Sequence, residues 1–292
     1  MAFMTGIIAA ISASFSWTIA CFLWRSQTKY FSPTQINLIK TSLATLIFLP
    51  IIFSIDWLSD LKEIAVLFLS GVIGISLGDT FYIEALHRLG TRRTLTIEAF
   101  SPVIASLIGS LIIGDTLSNT ALLGAFVVSF SLVLIANERL RKFDGFSPDY
   151  LLNQQGYIYA FLSVFCAVIA AIISRLVLKS SDLSPLQSTE IRLIGALTIL
   201  VPIVRVDSLS FIKEVSIQSK SKLVLATLLG TNIGIFLQQV VFKTLPIGIG
   251  WTLLSISPVI SLFFAKFEGD NINNISILSA FLALLGVVIV LL

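Results

Sequence analysis

Four ionisable side chains interrupt stretches that are otherwise apolar: Lys40, Asp79, Glu98 and Arg192. A carboxylate inside an apolar helix costs a few kcal/mol on insertion scales unless it is paired or protonated, so an intramembrane acid is a functional candidate by default. Asp79 and Glu98 are therefore candidate coupling groups, able to exchange a proton or to meet a substrate cation. Lys40 and Arg192 stand about seven residues beyond the prolines that open their segments, or ~10 Å deep at 1.5 Å per residue. Their long stems reach either a headgroup or an internal cavity, which makes both candidate substrate ligands. Glu84 and Glu190 lie nearer the segment ends, and His87, beside Arg88 at an expected loop, is read as solvated.

Neutral groups extend the set. Gly71, Gly74 and Gly78 precede Tyr82, and Gly230 and Gly234 precede Gln238, at spacings of three and four that put each series on one helix face. Small residues on one face let helices approach closely. Tyr82 and Gln238 continue those faces with hydrogen-bonding ends that could line a cavity. Trp17 and Trp251 fall within apolar runs, where they serve either packing or stacking on a substrate. Pro102 and Pro258 each remove a helical hydrogen bond, freeing the carbonyls of Glu98 and Leu254, so a kink is expected at both. Cys21 and Cys166 have no metal-ligand spacing. Neither a catalytic triad nor a phosphate-binding glycine loop is found, and no cofactor is expected.

The elements that must position these groups are membrane helices. Of 292 residues, 56% are hydrophobic and 12% charged, against roughly 25% charged in soluble domains. The charges cluster between runs of about 20 apolar residues, the length that crosses a bilayer. Ten spans are expected, near 4–24, 34–54, 64–86, 93–113, 117–137, 155–177, 186–205, 222–242, 247–266 and 273–292. The net charge of +3 forms no continuous basic stripe, which argues against nucleic acid as a partner. Met1–Trp24 lacks a basic segment before its apolar run and reads as a retained first span.

The two halves repeat. Ser101-Pro102-Val103-Ile104 recurs as Ser257-Pro258-Val259-Ile260, Gly114-Asp115 as Gly269-Asp270, Ser32-Pro33 and Gln35 as Ser184-Pro185 and Gln187, and Lys40 as Arg192. Residues 1–137 and 155–292 thus form two five-helix units joined by a polar linker, 138–154. Five is odd, so the second unit enters the membrane from the opposite side, an inverted repeat of the kind that serves alternating access. Thirteen Lys and Arg residues fall on one side and four on the other, which places the linker in the cytoplasm and both termini outside.

This pattern resembles the EamA-like branch of the drug/metabolite transporter superfamily, through the repeated Ser-Pro-Val-Ile runs and the Gly-Asp turns. The family usually carries Glu where Asp115 and Asp270 stand, and its members often keep both termini in the cytoplasm, opposite to the charge reading here. The resemblance implies an all-α membrane carrier with a central cavity between the halves, for metabolites such as amino acids or for exported drugs. The expectation is a non-enzymatic exporter of a small polar or zwitterionic metabolite in a bacterial inner (plasma) membrane, with lipid, the substrate, protons and a second copy of the chain as candidate partners. A proton-coupled exporter of hydrophobic cations is the alternative within transport; a lipid-binding protein or membrane enzyme is the alternative outside it.

Overall fold

A computed structural model describes residues 2–28, 30–115, 118–141, 150–204, 215–257, 259–260 and 274–292, all of it helix, turn or connecting chain without a strand among the described residues. The helices are α1 (Ala2–Gln27), α2 (Pro33–Phe48), α3 (Leu61–Gly71), α4 (Asp79–Glu98), α5 (Ser101–Ile112) and α6 (Asn119–Arg141), then α7 (Tyr150–Ser180), α8 (Pro185–Ile203), α9 (Ile217–Ala226), α10 (Gly234–Thr244), α11 (Ile247–Leu254) and α12 (Asn274–Leu291). A π-helical turn, Val72–Gly78, fuses α3 to α4, and a second, Thr227–Ile233, fuses α9 to α10. Six helical segments among the described residues are long and apolar enough to cross a bilayer. Shorter apolar helices occupy the fourth, fifth and tenth expected positions, and α11 covers the start of the ninth. The linker's ends are helical, since α6 runs to Arg141 and α7 starts at Tyr150.

The recurring Ser-Pro-x-Gln sequences are helix starts. Ser32 Oγ accepts from the Gln35 amide and Gln35 Oε1 accepts from the Ser32 amide; Ser184 and Gln187 do the same for α8. Each box satisfies two backbone donors that a helix N-terminus leaves unpaired, while Pro33 and Pro185 sit where no N–H is needed. These caps fix where α2 and α8 begin, and hence the depth of Lys40 and Arg192.

Both π turns lie in the same part of their halves, 155 positions apart. A π turn leaves carbonyls unpaired, and buried carbonyls need partners where water is absent. Asn37, fully buried on α2, donates through Nδ2 to the carbonyls of Ile75 (2.8 Å) and Ser76 (3.2 Å). In the second half, Asn232 donates across to the Ala44 carbonyl at 3.1 Å.

Packing interleaves the halves. The α3–α4 segment packs on α7 and α8, whereas the α9–α10 segment packs on α1 and α2; α5 meets α11, and α6 meets α12. Glycines make the closest of these approaches. A Cβ on Gly71 would strike the Arg192 carbonyl, and one on Gly195 would strike the Phe68 carbonyl, so α3 and α8 touch backbone to backbone. Gly124 and Gly286 give α6 and α12 the same intimacy.

Two local expectations are corrected. The connection expected around His87 is helical, part of α4, with His87 itself exposed. The break comes later, at 99–100, so Pro102 opens α5 in its first turn and is no interior kink; there its missing N–H costs nothing. Pro258 lies outside the described residues, as do Gly269 and Asp270. The carbonyl of Leu254, four residues before Pro258, accepts from Ser14 Oγ at 3.0 Å.

The glycine contacts separate two kinds of substitution. Gly71→Val, which must displace backbone, is expected to lower stability by about 3 kcal/mol or prevent folding. Gly114→Ala has open space and meets only the strain of φ 68°, about 1–2 kcal/mol. Thermal unfolding in detergent ranks the two, and equal losses would contradict this packing.

Candidate functional site

A cavity of about 730 Å³ lies inside the bundle. Its wall is mostly apolar and includes Trp17, Gly74, Gly78, Asp79, Tyr82 and Glu98 from the first half. The second half contributes Arg192, Gln238 and Trp251. Residues far apart in sequence are thus gathered around one space because the α3–α4 segment leans on the second half and α10 leans on the first.

Charge is arranged unevenly around it. Lys40, buried behind the wall, donates from Nζ to Asp79 Oδ2 at 2.5 Å, and its ammonium stands 5.4 Å from the Trp24 ring centroid. The snorkelling option for Lys40 is thereby replaced by an internal ion pair. Asp79 keeps one edge in the cavity, with its side chain 21% exposed. Arg192 is 3% exposed and its guanidinium lies against Gly74, where a Cβ would stand 3.0 Å from Nη2. Its Nε and Nη1 have no hydrogen-bond partner among the described residues. Glu98 accepts a 2.9 Å hydrogen bond at Oε1 from Ser163 on α7.

The aromatic residues shape the rest. Phe242 and Trp251 stack nearly parallel, 5.8 Å between centroids and 4° between planes, and both reach the cavity. Trp17 meets Trp24 edge to face at 6.4 Å. Tyr82 Oη and Cys21 Sγ are 3.8 Å apart. Gly230 and Gly234 are not in the wall; they seat Trp24 and Trp17 respectively. Gly78 does both, lining the cavity and admitting Cys166 at 3.2 Å from a would-be Cβ.

Sequence reasoning missed the small hydroxyls. Ser14 and Thr18 on α1 donate to the carbonyls of Leu253 and Ser257, at 3.1 and 3.2 Å, tying α1 to the end of α11. Nothing in their spacing marks them. It also named Asp115 only as part of a repeated turn and gave it no partner. In the structure Arg175 Nε and Nη2 grip Asp115 at 2.6 and 2.9 Å, and Arg175 Nη1 donates to the Phe242 carbonyl at 2.8 Å. The Ile247 amide also donates to Asp115 at 2.9 Å. Gly114, at φ 68°, makes the turn that aims Asp115 at these partners.

The EamA-like transporter family model matches this chain twice, over residues 4–137 and 154–292. The chain belongs to the EamA-like transporter family. Its apolar helices make it a multi-pass integral membrane protein. An uncharacterized transporter of Archaeoglobus fulgidus is 28% identical over 135 residues, 45% of this chain; the match spans about half, 48%, of that relative's length. A solved crystal structure superposes with a TM-score of 0.73 at 15% identity, over 99% of this chain and 97% of the other, a likeness of fold alone. The EamA-like assignment agrees with the resemblance expected from the sequence.

The Asp115 cluster lies at a helix end, in the turn after α5. Burial alone would push its pKa up, but the hydrogen bonds from Arg175 and from the Ile247 amide outweigh it and hold the carboxyl below its ordinary value. A depressed acid contributes stability above its unfolded value, about pH 4, and loses it as pH falls. Asp115→Asn is therefore expected to cost about 3–5 kcal/mol at neutral pH, the penalty for stranding a buried partner. Below about pH 4 the gap in thermal midpoint between the mutant and the parent should narrow; a constant gap would show that the ionisation of Asp115 contributes nothing to folding.

Proposed function

We propose that the chain is a secondary carrier that exports a small amphipathic, zwitterionic metabolite of amino-acid type by alternating access around this cavity. The observation that carries the reading is the cavity itself: apolar and aromatic walls for a side chain, with both signs of charge, Arg192 against Asp79 and Glu98, for the two ends of a zwitterion. Such sites, mostly apolar with a few placed polar groups, are what small-molecule recognition uses.

Alternating access needs one end closed while the other is open. The wall extends toward the bundle end that bears Leu23, Leu86 and Leu225, and includes neither Asp115 nor Arg175. At the opposite end the Asp115–Arg175 pair joins the first half to the second, and the Phe242–Trp251 stack of the second half lies beside it through the Arg175 bond to the Phe242 carbonyl. We read these as the closed gate. The two units, 1–137 and 155–292, are taken as inverted repeats, a reading supported by the paired capping boxes, the paired π turns and the twofold family match. Export follows from placing the thirteen-charge side in the cytoplasm, where the cavity end then faces.

Glu98 is the coupling group in this scheme. It reaches the cavity from a wall where Ser163 holds one oxygen and leaves the other to substrate or proton. Exchange of a carboxyl between a proton and a substrate amine is one route to coupling. A second reading, export of hydrophobic cations, draws on the same acid together with Trp17, Trp251 and Tyr82 as a cation–π surface.

Counterflow in proteoliposomes across amino acids and lipophilic amines decides between these readings. Amino-acid flux is expected; flux of amines alone would favour the second, and turnover or lipid retention without flux would defeat both. Glu98→Gln should insert normally but carry substrate without the parent's pH dependence, and an unchanged pH profile would remove Glu98 from coupling. Tyr82→Ala and Gln238→Ala should raise the apparent substrate constant by roughly tenfold, the loss of one hydrogen-bonding contact. For orientation, a cysteine placed at Ser147 should resist an impermeant thiol reagent in intact cells; rapid labelling would reverse the assigned direction.

A further inference from the structure

The two cations beside the cavity are unequally partnered. Lys40 and Arg192 are two buried cations, and the carboxylates that share the cavity wall with Arg192 are Asp79 and Glu98, the latter bonded to Ser163 on α7. Asp79 is already committed to Lys40, held at 2.5 Å. Arg192 is left with Nε and Nη1 unbonded, although it is 97% buried and forms part of the cavity wall. A guanidinium so enclosed is costly unless its donors meet an acceptor, and a carboxylate matches its fork.

The repeat shows what has been omitted. Lys40 and Arg192 correspond at an offset of 152, and Gly78 corresponds to Gly234 at an offset of 156. The position matching Asp79 is therefore Ile235, which also lines the cavity. The first half supplies its cation with a carboxylate; the second puts a hydrocarbon at that position. Gly74 keeps the space in front of Arg192 clear, because any side chain there would crowd Nη2.

We infer that Arg192 is the anchor for a carboxylate on the transported molecule, which enters as the missing fourth charge of a Lys40–Asp79–Arg192 cluster. The inference rests on the carrier reading and narrows it. The substrate's acid group is obligatory, it docks at the second-half cation and not at Lys40, and its apolar part lies toward Trp17 and Trp251. Substrate binding supplies the acceptor that the Arg192 guanidinium lacks when the site is empty.

The test uses the full-length protein in detergent and a panel of amino acids, each paired with its carboxamide, read by thermal stabilisation and by equilibrium binding. Acids are expected to bind at least roughly tenfold more tightly than their amides, the scale set by a charge-assisted hydrogen bond. Arg192→Gln should erase that preference, and Arg192→Lys should retain part of it. Ile235→Asp supplies the absent carboxylate from the protein itself. It should abolish acid binding while leaving the thermal midpoint at or above that of the parent, which separates loss of the anchor from failure to fold. Amides that bind as well as acids, an Ile235→Asp protein that binds acids normally, or an absence of binding by every acid would each overturn the inference. In those cases flux of amides or amines in proteoliposomes would show that the carrier reading survives, and flux of no solute would show that it has fallen as well.

Discussion

A lysine and an aspartate taken out of water into the middle of a helical bundle are tolerable only together. Their desolvation runs to several kcal/mol per ion, and only short contact with further hydrogen bonding offsets it. The Lys40–Asp79 pair has the short contact, and much of the surrounding construction serves it. The capping box at Ser32 sets the register of α2, and therefore the depth of Lys40. Asn37, one turn earlier on α2, ties the π turn that precedes Asp79 to the same helix. The Trp24 ring covers the ammonium from the side. Lose the pair, and both α2 and the α3–α4 segment would carry an unmatched charge.

The π turns connect this electrostatic demand to the packing. An α-helix presents its faces at 100° per residue, so a segment cannot offer glycines to a neighbour and a carboxylate to a cavity at every depth. One wide turn changes the phase between Gly71, which contacts α8, and Asp79, which reaches the cavity. The freed carbonyls that such a turn creates are tolerable because Asn37 donates to them. Reciprocal glycine contacts then let the segments of one half lie against the backbone of the other, so the cavity is bounded by both halves and cannot form from either alone.

The span-like runs, the helix starts and the repeat could all be read from residue order, because membrane length, proline and capping chemistry are local. Ser32 to Gln35 and Ser184 to Gln187 are four residues each and carry their own explanation. The cavity wall was partly legible for the same reason: an acid within an apolar run, as at Asp79 and Glu98, signals a site wherever the helix goes. What could not be read was pairing. Asp115 and Arg175 are 60 positions apart and their contact depends on the tilt of α7 against the α5 turn. Ser14 reaches carbonyls about 240 positions away. The helix break at 99–100 was misplaced toward His87 because charge clustering marks a connection less firmly than proline does.

The two ends of the bundle differ in the kind of bond that holds them, and that difference bears on how it could move. At the Asp115 end, contacts are directional: a bidentate ion pair, two hydrogen bonds to and from backbone, and a stacked aromatic pair. Around the cavity, helices meet on glycine and alanine, as at Gly230 against Ala20 and Gly74 against Ala170. Directional bonds lose most of their energy over a small displacement, whereas apolar faces with small residues lose little. A rocking motion of one half against the other would therefore concentrate its cost at the Asp115 cluster. A substrate that neutralised charge in the cavity would alter the balance at the other end of the same rigid helices, because α7 carries both Ser163 and Arg175 and α10 carries both Gln238 and Phe242.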